Sequence, residues 1–141
     1  MITAANASLY IGVLPIFPVP QKIQQFAADD IFDVDPQEVA ETFMGVDGNL
    51  TAGFVFTAVR QGITLMADSS SNSFFDAWHT AEVAAKEKLP CFSSIQLPSL
   101  GLKFAMPKGF LVTFQAVPSA GRTMRPRKHY ILWETVLPSL I

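Results

Sequence analysis

The side chains that could catalyse a reaction are few and far apart in this 141-residue chain. His79 and His129 are its two histidines, and Cys91 is its single cysteine. A thiol–imidazole site would need these residues to meet beside supporting groups, and the sequence around them supplies none. Zinc ligands usually occur as close-spaced pairs, which these residues do not form. We therefore predict no catalytic residue, no metal site, no cofactor and no enzymatic activity.

Acidic residues form the next candidate site. Asp29-Asp30 and Asp33-x-Asp35 carry carboxylates of the kind that bind cations. An EF-type calcium loop that begins at Asp30 requires glycine at the position of Asp35, however. We favour an acidic loop that faces solvent or another subunit over a calcium site.

Phosphate-binding motifs are not evident either. Gly45-x-x-Gly48 and Gly101 have the spacing of turns. The basic run Arg125–Lys128 could contact phosphates, but the chain has a net charge of −2 and a pI near 5.6. We therefore favour a solvated or subunit-facing loop over a nucleic-acid site.

The composition favours a protein whose surface is covered by partners. Hydrophobic residues make up 50% of the chain and charged residues 16%, against roughly 25% charged residues in ordinary soluble domains. Large exposed apolar patches usually mark interaction sites, and association of identical copies commonly covers them. We predict one domain, residues 1–141, that associates with itself.

Charge is segregated along the chain in a way that suits contact between copies. Residues 29–47 contain acids but no Lys or Arg, whereas residues 103–128 contain bases but no acid. Acid facing base across a head-to-tail contact is one explanation, and two solvated loops of opposite sign are the other. The candidates for assembly contacts or for a pore lining are Asp29, Asp30, Asp33, Asp35, Glu38, Glu41, Arg122, Arg125, Arg127 and Lys128.

Neither export nor membrane insertion is predicted. Met1-Ile2-Thr3 carries no basic side chain, and Pro15, Pro18 and Pro20 interrupt the first apolar run. No apolar run approaches the roughly 20 residues of a membrane-spanning helix. We expect a soluble product made in the cytoplasm, without a membrane partner.

Turn signals and alternating apolar residues predict a mostly β fold of about seven strands. Val46-Asp47-Gly48-Asn49 predicts a hairpin turn, because type I′ turns favour Asp-Gly, between strands at 38–44 and 50–59. Arg60-Gln61-Gly62 predicts a second tight turn. Residues 1–20 fit either an N-terminal arm or extended strands.

The second half of the chain is similar. Pro107-Lys108-Gly109 predicts a turn between strands at 102–106 and 110–114. The closing strand contains Tyr130–Trp133, a run that is apolar throughout. Such a strand is expected to be buried on both faces, by a helix or by another subunit.

One helix is predicted from Ser73 to Lys88, ended by Pro90. Ser73 with Asp76 three residues later has the form of a capping box. Apolar residues at helical spacing would dock the helix on a sheet. The residues expected to build this helix-on-sheet core are Phe54, Phe56, Phe74, Trp78, Tyr130 and Trp133.

From Gly45 to Trp133 the order of these pieces resembles the tail tube proteins of contractile-tailed bacteriophages. The segments that carry the resemblance are Gly45–Gly48, Gly62–Ser69, the aromatic residues of the helix, Leu97–Gly101, Gly109–Leu111, and Arg125–Arg127 leading into Tyr130–Trp133.

The resemblance implies a two-sheet β-sandwich or split barrel with one flanking helix, whose sheets join those of neighbouring copies in a ring-shaped barrel. Six copies would close a ring, and stacked rings would form the tail tube of the virion, assembled in the host cytoplasm. DNA would pass through without specific binding, because an acidic lumen repels phosphates. The implied partners are further copies of the chain, the tail sheath, the baseplate and the tape-measure protein.

Two alternatives stay open. A tube initiator, a tail terminator or the tube of a secretion-type injection machine would have the same general character. A small β-barrel that binds an apolar ligand would instead need polar groups that converge in an apolar pocket. The sequence shows apolar strands without such a set.

Overall fold

The computed structural model describes residues 7–14, 16–24, 32–118 and 120–140. Ten strands and one helix lie within these ranges, so the predicted class, mostly β with a single helix, is confirmed. The elements are β1 Ser8–Val13, β2 Phe17–Lys22, β3 Phe32–Val34, β4 Ala40–Met44, β5 Leu50–Phe54, β6 Val59–Leu65, α1 Asn72–Ala85, β7 Cys91–Leu97, β8 Leu102–Phe114, β9 Arg127–Trp133 and β10 Leu137–Leu140.

Seven strands lie side by side in the larger sheet, in the order β2-β1-β7-β8-β9-β6-β3. Their pairs are antiparallel, and β10 lies beside the first part of β8. Strand β8 joins two halves of the sheet, because its first part pairs with β7 and its second part with β9. Side chains from both halves meet in one core.

The core lies between this sheet and helix α1. Phe74, Phe75 and Trp78 of the helix are buried, and the Phe75 and Trp78 rings stack with centroids 6.0 Å apart. This arrangement places the large aromatic groups of the helix against the sheet. The same cluster contains Leu9, Ile11, Val13, Ile63, Leu65, Ile95, Met106, Leu111, Ile131 and Trp133.

The ends of the helix differ from the prediction. Its N-cap is Ser71, whose side chain makes no capping hydrogen bond. The capping box predicted from Ser73 and Asp76 is wrong, because Ser73 Oγ donates to the carbonyl of Ser70 and Asp76 pairs with Arg127. The Asp76 carboxylate, which a capping box would use, is thus engaged in a salt bridge to the sheet.

The turn predicted at Pro107-Lys108-Gly109 is wrong, because β8 continues through it. The register with β7 shifts here: Cys91 pairs with Gly109, and Ser93 pairs with Met106. Proline lacks the N–H of a ladder hydrogen bond and is tolerated at such irregular points. Pro107 therefore marks an interruption of the ladder rather than a reversal of the chain.

The turn predicted at Arg60-Gln61-Gly62 is also wrong, since these residues lie inside β6. Gln61 is fully buried, and its Oε1 accepts a 2.8 Å hydrogen bond from Nε1 of Trp133. A side chain at position 62 would overlap Asp33 and Tyr130. Glycine is required here because Asp33 and Tyr130 lie close to the backbone, and not because the chain turns.

Most of the described N-terminal residues are part of the sheet. β1 pairs with β7 along its length, and β2 pairs with β1. Residues 8–13 and 17–22 are therefore strands. None of the described residues belongs to a helix with the length and apolarity needed to cross a bilayer.

Candidate assembly interface

Strands β4 and β5 form a separate two-stranded sheet, which we call the arm (residues 38–57). Ala40 pairs with Phe54 towards its base, and Met44 pairs with Leu50 near its tip. This pairing confirms the predicted hairpin. The arm connects β3 with β6, the two strands at one edge of the large sheet.

The turn at the tip of the arm is stabilised locally. Gly48 has a φ of 86°, in the left-handed region that glycine adopts without strain. The backbone N–H of Asn49 donates to Oδ1 of Asp47 over 3.1 Å. This hydrogen bond favours the charged carboxylate and lowers the pKa of Asp47. The tip therefore carries a fixed negative charge.

One face of the arm is apolar and exposed. Residues paired across a ladder share a face, so Leu50 and Phe54 lie beside Met44 and Ala40. Phe56 packs edge-on against Phe54, with ring centroids 4.9 Å apart. Phe54 is 74% exposed and Phe56 is 91% exposed. We call Met44, Leu50, Phe54 and Phe56 the apolar stripe.

The prediction that Phe54 and Phe56 build the core is therefore wrong. Their alternation correctly predicts a strand, but a period of two does not identify the sheet to which the strand belongs. Leu50 and Met44, which complete this surface, are not among the predicted site residues. A signal for it exists in the sequence, because from residue 40 to residue 54 one face of the hairpin carries no charged residue.

The acidic candidates lie near the arm. Asp33 is on β3, Asp35 and Glu38 are between β3 and β4, and Glu41 is on β4. All four are exposed, and none takes part in either salt bridge found among the described residues. Asp29 and Asp30 lie outside the described residues.

The basic candidates separate into two groups. Arg122, Arg125 and Lys128 are exposed. Arg127 is only 5% exposed, and its Nη2 lies 2.8 Å from Oδ1 of Asp76 on the helix. The prediction that Arg127 contacts another copy is therefore corrected: its guanidinium is committed to a contact within the chain.

The charge segregation seen along the sequence does not hold everywhere in space. Asp33 and Lys128 line the same cavity of about 130 Å³ on the outer face of the sheet, together with Tyr130. The guanidinium of Arg60 lies over the Tyr130 ring, 4.0 Å from its centroid. The prediction that Tyr130 helps to build the helix-on-sheet core is therefore wrong: it is half-buried on this outer face, where Leu132 remains 37% exposed.

The three candidate catalytic residues do not form a site. His129 is buried between the rings of Phe75 and Phe114, and this desolvation, followed by the nearby Arg127, lowers its pKa to about 4. Burial also raises the pKa of the Cys91 thiol, which suppresses the reactive thiolate. His79 lies on the helix surface. No cluster of three potential metal ligands occurs in the described part of the chain.

An apolar pocket opens between the two halves of the sheet. Its volume is about 220 Å³, and no polar side chain contributes to its lining. Recognition of a small ligand usually requires a few converging polar groups in such a pocket. The residues of this apolar pocket are Val34, Ile95, Leu97, Phe104, Met106 and Val136.

A protein-family model described as "Tail fiber protein gp32" matches residues 1–137 of the chain. A search of curated protein sequences gives no match. The family model and the fold therefore carry the similarity of this chain to known proteins.

Solved structures with the same fold come from contractile injection systems. A chain of the sheath–tube complex of the extracellular contractile injection system PVC is 12% identical, with a TM-score of 0.62, over 100% of this chain and 93% of that chain. A chain of the PVC sheath/tube terminator is 10% identical, with a TM-score of 0.61, over 99% and 96%. A chain of the anti-feeding prophage cap is 10% identical, with a TM-score of 0.59, over 100% and 92%.

Proposed function

Because the chain belongs to the family described as tail fiber protein gp32 and has the fold found in contractile tubes and their terminators, we propose that it is a structural, self-assembling tail tube protein. Copies of the chain close into rings, which we propose to be hexameric, and the rings stack into the inner tube of a virion tail. The protein acts through its shape and contacts, without catalysis. Its other partners are the sheath, the baseplate and the tape-measure protein.

The observation that supports this proposal most directly is the arm. A two-stranded ribbon with large exposed apolar side chains is poorly stable alone in water. A neighbouring copy that covers the apolar stripe removes this surface from solvent. Because the arm and the surface that receives it are different parts of the chain, the contact is head-to-tail and produces a ring or an open filament.

The passage of DNA is a further part of the proposal. Asp33 and Asp35 are exposed acids on the stretch of chain that precedes the arm. If this stretch lines the lumen, its charge repels phosphates and allows DNA to slide without specific binding. Asp29 and Asp30 are proposed to extend the same lining.

Electron microscopy with negative stain tests the assembly. We expect the purified protein, concentrated from dilute solution, to form rings or hollow rods of uniform diameter. A protein that remains monomeric at high concentration and at every salt concentration would contradict the proposal. Coassembly with double-stranded DNA then tests the lumen, since acidic walls predict no retention of DNA.

Charge reversal tests the contact between acids and bases. Arg122→Glu with Arg125→Glu should weaken assembly, because both residues are exposed, and Glu38→Lys with Glu41→Lys should do the same. Mixing the two double variants should restore assembly if these groups face each other across the interface. Assembly of each double variant at the wild-type concentration would exclude this contact.

A tail terminator is the second candidate, because the terminator and cap chains share the fold to nearly the same extent as the sheath–tube chain. The micrographs distinguish the two functions. A tube protein stacks into rods whose length grows with concentration, whereas a terminator forms single rings.

A further inference from the structure

The apolar pocket lies beside the root of the arm. Val34 lines the pocket at the end of β3, and the chain leaves the large sheet directly after it, towards the arm. Phe104 and Met106 line the pocket from β8, in the other half of the sheet. Each copy therefore presents an apolar cavity at the base of its arm and an apolar stripe farther along it.

The stripe does not fill the pocket of its own chain. Phe54 and Phe56 are exposed on their own molecule, and neither lines the pocket. Phe54 pairs with Ala40, six residues beyond Val34, which corresponds to roughly 20 Å along an extended strand. Only a second copy, displaced along the arm, can bring the two surfaces together.

The pocket has room for a phenyl ring, and its β8 side carries charges opposite to those of the arm. An apolar cavity of about 150 Å³ is enough to bind benzene, so a pocket of about 220 Å³ accommodates a phenyl ring. Strand β8 carries Lys103 and Lys108 and no acid, whereas the arm carries Glu38, Glu41 and Asp47 and no base. Lys103 and Lys108 complement the acids of the arm on the β8 side of the pocket, whereas Asp33 and Asp35 flank Val34 on its β3 side.

We infer that the Phe54–Phe56 pair of one copy docks at the apolar pocket of the next copy, with one of the two rings inside the pocket. Two phenyl groups bury on the order of 300 Å², well below the roughly 800 Å² per partner of a standard interface. One such contact is too small to hold a dimer, so the contacts become effective when many copies repeat them. This inference rests on the proposed self-association and names the surfaces that carry it.

Disulfide cross-linking between two variants tests the contact. Phe56→Cys protein is mixed with Val34→Cys protein under mild oxidation, and covalent dimers are measured on a non-reducing gel. We expect at least tenfold more dimer than in a control mixture of Phe56→Cys with Val117→Cys, an exposed residue outside both surfaces. The native Cys91 is buried and contributes little background.

A second measurement compares the two faces of the arm. Phe54→Ser should raise the concentration needed for assembly about tenfold or more, without changing the free energy of unfolding of the monomer. Phe43→Ser is the matched control, because Phe43 pairs with Thr51 on the opposite face and is similarly exposed. Its assembly should change much less.

The outcomes separate this inference from the proposed function. Rings or rods that form without preferential cross-linking, or equal effects of Phe54→Ser and Phe43→Ser, would overturn the docking contact and leave the assembly proposal intact. A chain that stays monomeric under all conditions would overturn both.

Discussion

The guanidinium of Arg127 at the start of β9 lies 2.8 Å from the carboxylate of Asp76 on helix α1 and joins the helix to the sheet. Arg127 Nε also donates to the carbonyl of Gln115 over 2.9 Å, and the guanidinium lies 5.5 Å from the centroid of the Phe114 ring. One buried side chain therefore fixes the helix, a loop and two strands relative to one another. Its removal leaves two acceptors without their partner.

Arg127→Ala should lower the free energy of unfolding by about 1–3 kcal/mol, because a buried, hydrogen-bonded cation is lost from this junction. Urea denaturation followed by tryptophan fluorescence measures the change. Arg125→Ala is the control, since Arg125 is exposed and its loss should cost less than about 0.5 kcal/mol. Equal costs for the two substitutions would show that Arg127 is not a structural residue.

The sequence predicts local features of this fold better than distant ones. Local patterns of neighbouring residues predict two of these features correctly. They are the helical stripe of Phe74 and Trp78 and the turn at Asp47-Gly48. The bond between Gln61 and Trp133 joins residues 72 apart, which no local pattern reveals. The resemblance to a tail-protein family with the tube-type fold is confirmed, and it came from the order of many short segments.

Gly62 and the Phe54–Phe56 pair depart from prediction for different physical reasons. The sequence predicts a turn at Gly62, whereas the space that this glycine leaves is occupied by Asp33 and Tyr130. Phe54 and Phe56 are large and apolar, which predicts a place in the core. In an assembling protein the same side chains also suit a surface that another copy covers, and composition does not separate the two uses.

His129 should make stability depend on pH. Burial lowers its pKa from 6.5 to about 4 in the folded protein, so between these values the unfolded chain binds more protons. The contribution of neutral His129 to the free energy of unfolding is fully present above pH 6.5. It is lost as the pH falls through about 4, by up to about 3 kcal/mol. The charges that face His129 are Arg127 on its own strand and Asp76 on the helix.

The variant His129→Phe should reduce this loss of stability, measured as the difference between urea unfolding at pH 7 and at pH 4.5. His79→Phe is the matched control, because His79 also stacks on Phe114 but from the exposed side of the helix. An unchanged pH dependence in His129→Phe would assign the effect to other groups, such as carboxylates.

Gly109→Ala should destabilise the monomer through steric overlap. A Cβ at this position would overlap the buried Trp133 ring and lie 2.9 Å from the carbonyl oxygen of Leu132. Because the backbone cannot yield as a flexible side chain does, we expect the free energy of unfolding to fall by about 1–3 kcal/mol.

Gly53→Ala provides the comparison, since no atom lies within 4 Å of its new Cβ. Thermal unfolding should separate the two variants clearly, and equal melting temperatures would refute the packing explanation.

Lys86→Gly should stabilise the protein, although it removes a side chain. Lys86 ends the helix with a φ of 57°, in the left-handed region that is unfavourable for a residue with a Cβ. Its backbone N–H donates to the backbone carbonyl of Glu82 over 2.8 Å. Glycine adopts this conformation without the steric cost, so we expect a gain of about 1 kcal/mol. Ala84→Gly, two residues earlier and within the helix, should instead cost about 1 kcal/mol. Chemical denaturation of both variants measures these opposite signs, and a loss of stability in Lys86→Gly would mean that the lysine side chain makes a contact that outweighs the strain of its backbone.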